Sequence, residues 1–117
     1  MGLVGVKITV RNTETAISKE VELLVDTDSI FTWVSKEVLE EIDIKSKARL
    51  YETVDGGVVG RVIGIATISY KRFEDYVEIV FAEKGDTEVL GVVALETLGL
   101  EVDPIKRELR HVDYLAI

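Results

Sequence analysis

VELLVDTDSIFTWVS, residues 21–35, is the stretch whose reading decides the fold. It runs from an apolar segment into an acidic corner, Asp26-Thr27-Asp28, and out through a second apolar segment, Phe31-Thr32-Trp33-Val34. Val21, Leu23, Leu24 and Val25 are aliphatic and nearly continuous, which predicts a strand covered on both faces. A buried strand that ends in two carboxylates one residue apart needs an explanation. A lone buried carboxylate is costly unless it is paired, metal-bound or protonated. The plainer reading makes Asp26 and Asp28 turn residues, a role that Asp favours.

The whole chain sets the bounds. Its 117 residues suit one domain, 1–117, and are too few for two. A hydrophobic fraction of 47% supports a core. No apolar run is long enough to span a bilayer and no basic-apolar-small leader opens the chain, so the expectation is a soluble, cytoplasmic protein without a membrane partner. There is no cysteine and a single histidine, His111, which reads as a surface strand residue before it reads as a lone ligand. Disulfides, thiolate metal sites and Ser-His-Asp or Cys-His mechanisms therefore lack their parts. A net charge of −8 repels phosphates, so no nucleic-acid partner is expected. Glutamine is absent and asparagine occurs once, at Asn12, beside abundant Glu and Lys, a balance that resembles thermophile composition.

Outward from the acidic corner the chain reads mostly as strands. Val4, Val6, Ile8 and Val10 alternate, residues 11–16 are turn-like, and Ile17–Val25 returns as the second arm of a hairpin. After Phe31–Val34, Ser35 is placed to cap a short helix over 35–42, with Leu39 and Ile42 inward. Residues 47–55 and Arg61–Tyr70 are strands joined across Asp55-Gly56, the strongest short hairpin signal. A turn at Lys71–Glu74 leads to a strand over Tyr76–Phe81. A polar loop then runs to Val89-Leu90-Gly91. Val92–Leu98 is predicted as a helix with Val93, Ala94 and Leu98 inward and Gly99 as its stop. Leu100–Val102 is extended, Asp103-Pro104 turns, and Glu108–Ile117 is a last strand. About eight short strands and two short helices, with turn signals every ~8–12 residues, indicate a closed or sandwiched mostly-β domain. Strand, acidic corner, strand and helix in the first half are faintly answered by strand, Leu90-Gly91 and helix in the second.

Three motifs in this order carry a resemblance. Leu23-Leu24-Val25-Asp26-Thr27-Asp28-Ser29 resembles the apolar-apolar-Asp-Thr-Gly-Ser/Ala segment of the retropepsin-like aspartic proteases, the single-domain relatives of pepsin. Asp55-Gly56-Gly57-Val58-Val59-Gly60 resembles their glycine-rich flap, here about 53–62, and Val89-Leu90-Gly91 resembles the apolar-apolar-Gly before their C-terminal helix. Residues 95–104 are similar to the microbial members, and the resemblance covers nearly the whole chain. It implies a closed acid-protease barrel with two short helices that forms a homodimer. It also implies an aspartic endopeptidase with no cofactor and no metal, whose substrate is a peptide or an unfolded protein. Asp26 from each subunit would meet at the two-fold axis, where two close carboxylates share one proton and activate a water. Thr27 would lock the two loops across the axis. Gly56, Gly57 and Gly60 would let the flap bend, and Val58 and Val59 would touch substrate. An ordinary hairpin explains the same glycines. The segments Val4–Val10 and Val112–Ile117 would form an intersubunit sheet or, more simply, edge strands.

Asp28 departs from the pattern, since the family has glycine there. In a dimer it adds two negative charges beside the Asp26 pair and a side chain beside the scissile bond. Three outcomes follow: an enzyme with altered pH dependence or specificity, a catalytically silent peptide-binding or dimerisation module, or a metal site. Asp-x-Asp after an apolar strand also resembles haloacid dehalogenase-type phosphotransferases. There, however, Thr or Val stands where this chain has Ile30, and long helices alternate with the strands. Phe31 and Trp33 follow the acidic corner and could line a substrate cleft, but they read first as core residues. Arg49 and Arg61 would pair with acidic neighbours or, as the lesser alternative, with Asp28 across the loop, while Arg107 and Arg110 are solvated charges.

Overall fold

The computed structural model describes residues 4–112. Within them the chain runs β1 (Val4–Arg11), β2 (Ser18–Val25), β3 (Thr32–Ser35), α1 (Lys36–Glu41), β4 (Ser46–Val54), β5 (Gly57–Tyr70), β6 (Phe73–Ala82), β7 (Val89–Leu90), α2 (Val92–Leu98), β8 (Leu100–Asp103) and β9 (Glu108–His111). This is the mostly-β chain with two short helices that the periodicity predicts. None of its helices is long and apolar enough to cross a membrane among the described residues.

Seven strands form one sheet in the order β1-β2-β7-β3-β6-β5-β4. β1 pairs antiparallel with β2 from Val4↔Val25 to Arg11↔Ser18, and its end, Thr9–Arg11, also pairs with Thr67–Ser69 of β5. The pairing thus returns to the strand on which it began. Period-two alternation sends Val4, Val6, Ile8 and Val10 into the core, where they meet Leu23, Leu39, Ile42, Ile68, Ile79 and Leu90. β8 and β9 form a separate two-stranded sheet. The extended segment after Gly99 is therefore a full strand. Of the last strand expected over Glu108–Ile117, Glu108–His111 is present and residues 113–117 lie outside the described residues.

Other boundaries move for identifiable reasons. β2 is covered chiefly on one face: Leu23 and Val25 are buried, while Val21 and Leu24 are half-buried. Ser35 stands at the N-cap of α1 but makes no side-chain cap; its backbone N–H donates to Glu88 Oε1 at 2.8 Å instead. α2 buries Ala94, Leu95 and Leu98 and leaves Val93 45% exposed, so Leu95 takes the inward place expected of Val93. The β5–β6 turn needs only Lys71 and Arg72, since Tyr70 already faces Phe73. The β4–β5 hairpin turns on Asp55 and Gly56 with φ of 48° and 79°, the two positive values of a type I′ turn.

Asn12 does more than turn the first hairpin. It is buried, its amide donates to the carbonyls of Ile42 (2.9 Å) and Asp43 (3.0 Å), and its Oδ1 accepts from the N–H groups of Glu14 and Thr15. One side chain therefore closes the β1–β2 loop and satisfies the frayed carbonyl end of α1. Asn12→Ala leaves the buried Ile42 carbonyl without its partner and removes the acceptor that holds the Glu14 and Thr15 N–H groups. We expect urea unfolding to show a loss of about 2–4 kcal/mol with an unchanged m-value.

Candidate active site

The acidic corner sits in a loop between β2 and β3, and β7 threads between those two strands. β7 runs parallel to β2 (Leu24↔Val89, Val25↔Leu90) and antiparallel to β3 (Trp33↔Val89). The loop is pinned from behind along its length. Asp26 N–H donates to Leu90 O at 3.0 Å, Val92 N–H to Ser29 O at 2.7 Å and Val93 N–H to Ile30 O at 3.3 Å. Thr32, 1% exposed, accepts the Gly91 N–H on its hydroxyl at 3.0 Å.

Gly91 makes this closeness possible. A Cβ there would stand 2.3 Å from the carbonyl oxygen of Phe31, inside any van der Waals contact. The clash is with backbone and cannot be relieved by a rotamer. Gly91→Ala should therefore lose about 1–3 kcal/mol or more of stability by overpacking, read as a lowered midpoint in thermal or urea unfolding.

The loop also folds on itself. Asp26 Oδ1 accepts the N–H of Asp28 at 3.0 Å, Asp26 O accepts the N–H of Ser29 at 3.1 Å, and Ser29 Oγ donates to Phe31 O at 2.9 Å. Asp26 is half-buried with one carboxylate oxygen oriented by this turn. Thr27 and Asp28 are exposed, and the Thr27 hydroxyl makes no hydrogen bond among the described residues. Asp26 and Asp28 open onto a groove of about 580 Å³. Phe31 and Trp33 are half-buried on its wall and do not belong to the core, contrary to the reading of their sequence.

The hairpin reaches the groove through its stem. Leu50 and Glu52 line it, whereas Gly56, Gly57, Val58 and Val59 at the tip lie outside its lining, with Val58 71% exposed. The structure thus brings Asp26 and Asp28 together and leaves the four tip residues apart from them. Among the described residues, no group of three or more His, Cys, Asp or Glu converges as a metal site would require.

A feature hidden in the sequence secures the hairpin. Arg61 on β5 and Asp86 in the β6–β7 connection form a two-pronged ion pair, Nε to Oδ2 at 2.7 Å and an NH2 nitrogen to Oδ1 at 2.9 Å. Their side chains are only 18% and 19% exposed. Asp86 Oδ2 also accepts the Glu83 N–H at 2.8 Å. The Arg61 hydrogen bond is the main cause that holds the Asp86 carboxyl below its ordinary value of 3.8, with burial opposing it and the Glu83 N–H assisting. The sequence offered Arg61 as a cation awaiting an acidic neighbour; the partner came from a loop that reads as merely polar.

The chain matches no model of a known protein family, and no curated protein matches it.

Because the folded state favours the charged form of Asp86, its contribution is complete above the unfolded value. It is lost as pH falls through the lowered folded value. We expect Asp86→Asn to cost about 1–3 kcal/mol at neutral pH. In urea unfolding the gap to wild type should narrow as pH drops below 3.8; a gap of constant size across that range would exclude the ion pair as its source.

Proposed function

We propose that the chain is one protomer of a homodimeric aspartic endopeptidase of retropepsin-like architecture, in which Asp26 from each subunit meets at the two-fold axis. In this reading the strand circuit β1-β2-β7-β3-β6-β5 is the closed acid-protease barrel and the β4–β5 hairpin is its flap. The observation that carries the proposal is the half-buried Asp26 carboxylate. It stands at the end of β2, on a loop whose backbone is pinned by Leu90, Val92 and Val93, and faces an open groove. A catalytic acid needs that fixed placement, and a surface turn does not.

Two such carboxylates brought close share one proton. The ionised one takes a proton from a water lying between them as that water attacks the peptide carbonyl. The protonated one donates to the carbonyl oxygen. Collapse of the tetrahedral adduct then returns a proton to the departing nitrogen, with no covalent enzyme intermediate. The exposed Thr27 hydroxyl, without a hydrogen-bond partner among the described residues of its own protomer, is available to its counterpart across the axis.

Asp28 favours a second reading. Its exposed carboxylate stands beside the Asp26 turn, where a silent peptide-binding or dimerisation module would tolerate it and an efficient protease would have to accommodate its charge.

Cleavage of denatured casein from acidic to neutral pH separates the two. Wild type should cleave and be blocked by a pepstatin-type inhibitor, and Asp26→Asn should lower the rate by about 10³-fold or more. Sedimentation should give a dimer. Cleavage by Asp28→Gly alone would establish a silenced protease, and cleavage by Asp26→Asn at the wild-type rate would overturn the shared-carboxylate mechanism.

A further inference from the structure

The groove is unevenly charged. Asp86 is neutralised by Arg61, which spends both prongs on it. Asp26, Asp28 and Glu52 line the same groove, and no Lys, Arg or His is among its described lining residues. The Asp28 carboxylate has no cationic partner among the described residues, and Glu52 acts on Arg61 only through its field. Beside these charges the wall is apolar. Ile30 is 62% exposed at its rim, and Phe31 and Trp33 are half-buried along it.

A groove lined by carboxylates without cationic partners concentrates a field of one sign and draws in an opposite charge, an attraction that salt screens. The chain's net charge of −8 adds a longer-range attraction of the same sign. We propose that the groove selects an extended peptide that carries a lysine or arginine next to a large apolar side chain, with the cation held by Asp28 and Glu52 and the apolar group by Ile30, Phe31 and Trp33. The endopeptidase reading supplies only the statement that such a peptide is then cut. The preference itself follows from the lining of a single protomer's groove. Asp28 becomes a specificity residue in this account, because it places a charge where an uncharged glycine would leave the loop indifferent to the peptide's side chains.

The test uses the full chain and three fluorescein-labelled peptides of equal length whose central bonds are reduced so that they cannot be cleaved. One carries Lys-Leu-Phe at its centre, one norleucine-Leu-Phe and one Lys-Ser-Ser. Fluorescence anisotropy at low ionic strength should show the first bound about three- to tenfold more tightly than either of the others. The advantage over the norleucine peptide should shrink in high salt and vanish in the Asp28→Asn, Glu52→Gln double variant, whose exposed positions leave folding intact by thermal melting. Equal binding of the lysine and norleucine peptides overturns the proposal, as does a preference that survives in the double variant. Selective binding without any cleavage of casein sinks the endopeptidase reading and leaves this one standing. Cleavage without selective binding does the reverse.

Discussion

The insertion of β7 between β2 and β3 is the constraint on which the rest of the molecule depends. Two residues, Val89 and Leu90, supply hydrogen bonds to both neighbours, and Gly91 lets the chain turn into α2 while lying against the carbonyl of Phe31. Without this strand the two arms that flank Asp26 would have no common neighbour. The acidic corner would then be an ordinary exposed turn, free to sample many conformations. With it, the backbone from Asp26 to Ile30 is fixed by donors and acceptors on one side and left open on the other. A small amount of regular structure, placed where it completes two ladders, converts a turn into a platform for a carboxylate.

Around that platform, polar residues fasten the apolar elements to one another. Asn12 joins the first hairpin to the end of α1, Glu88 joins the start of α1 to the β6–β7 connection, and Arg61 with Asp86 joins the second hairpin to that same connection. These are satisfied, partly buried interactions, with no orphaned buried side-chain atom among the described residues. Hydrophobic burial supplies the bulk of the stability without direction. The polar fastenings fix which loop lies against which strand, and so give the groove its walls.

Much of this was legible in the order of residues because its causes are local. Alternation in β1, the Asp55-Gly56 turn and the Gly99 stop of α2 each follow from a few neighbouring side chains, and each stands where the pattern puts it. What escaped was decided at a distance. Leu24 looks as buried as Leu23, but only the packing of the finished sheet leaves it half-exposed. Phe31 and Trp33 look like core residues because size and polarity say nothing of which wall a side chain faces. Asp86 lies in a polar loop like any other until β5 brings Arg61 to it, and Asn12 in a turn-like hexapeptide gives no sign of the helix end it will meet. At the site itself, Asp26 and Asp28 announce themselves by interrupting an apolar run. The groove's other wall, Leu50 and Glu52, is visible only once the hairpin is folded over.

The place of β7 in the chain also orders events in time. Its ladder partners lie at Leu24 and Val25, more than half the sequence away, and its place in the sheet is complete only when both β2 and β3 lie beside it. Contacts of such long sequence separation close slowly, after local hairpins have formed. The shape of the Asp26 loop therefore rests on contacts that exist only when the chain through Val93 is present. A chain still emerging during synthesis would carry the acidic residues but not the fixed arrangement that could make use of them, so the completed fold itself acts as the checkpoint on the site.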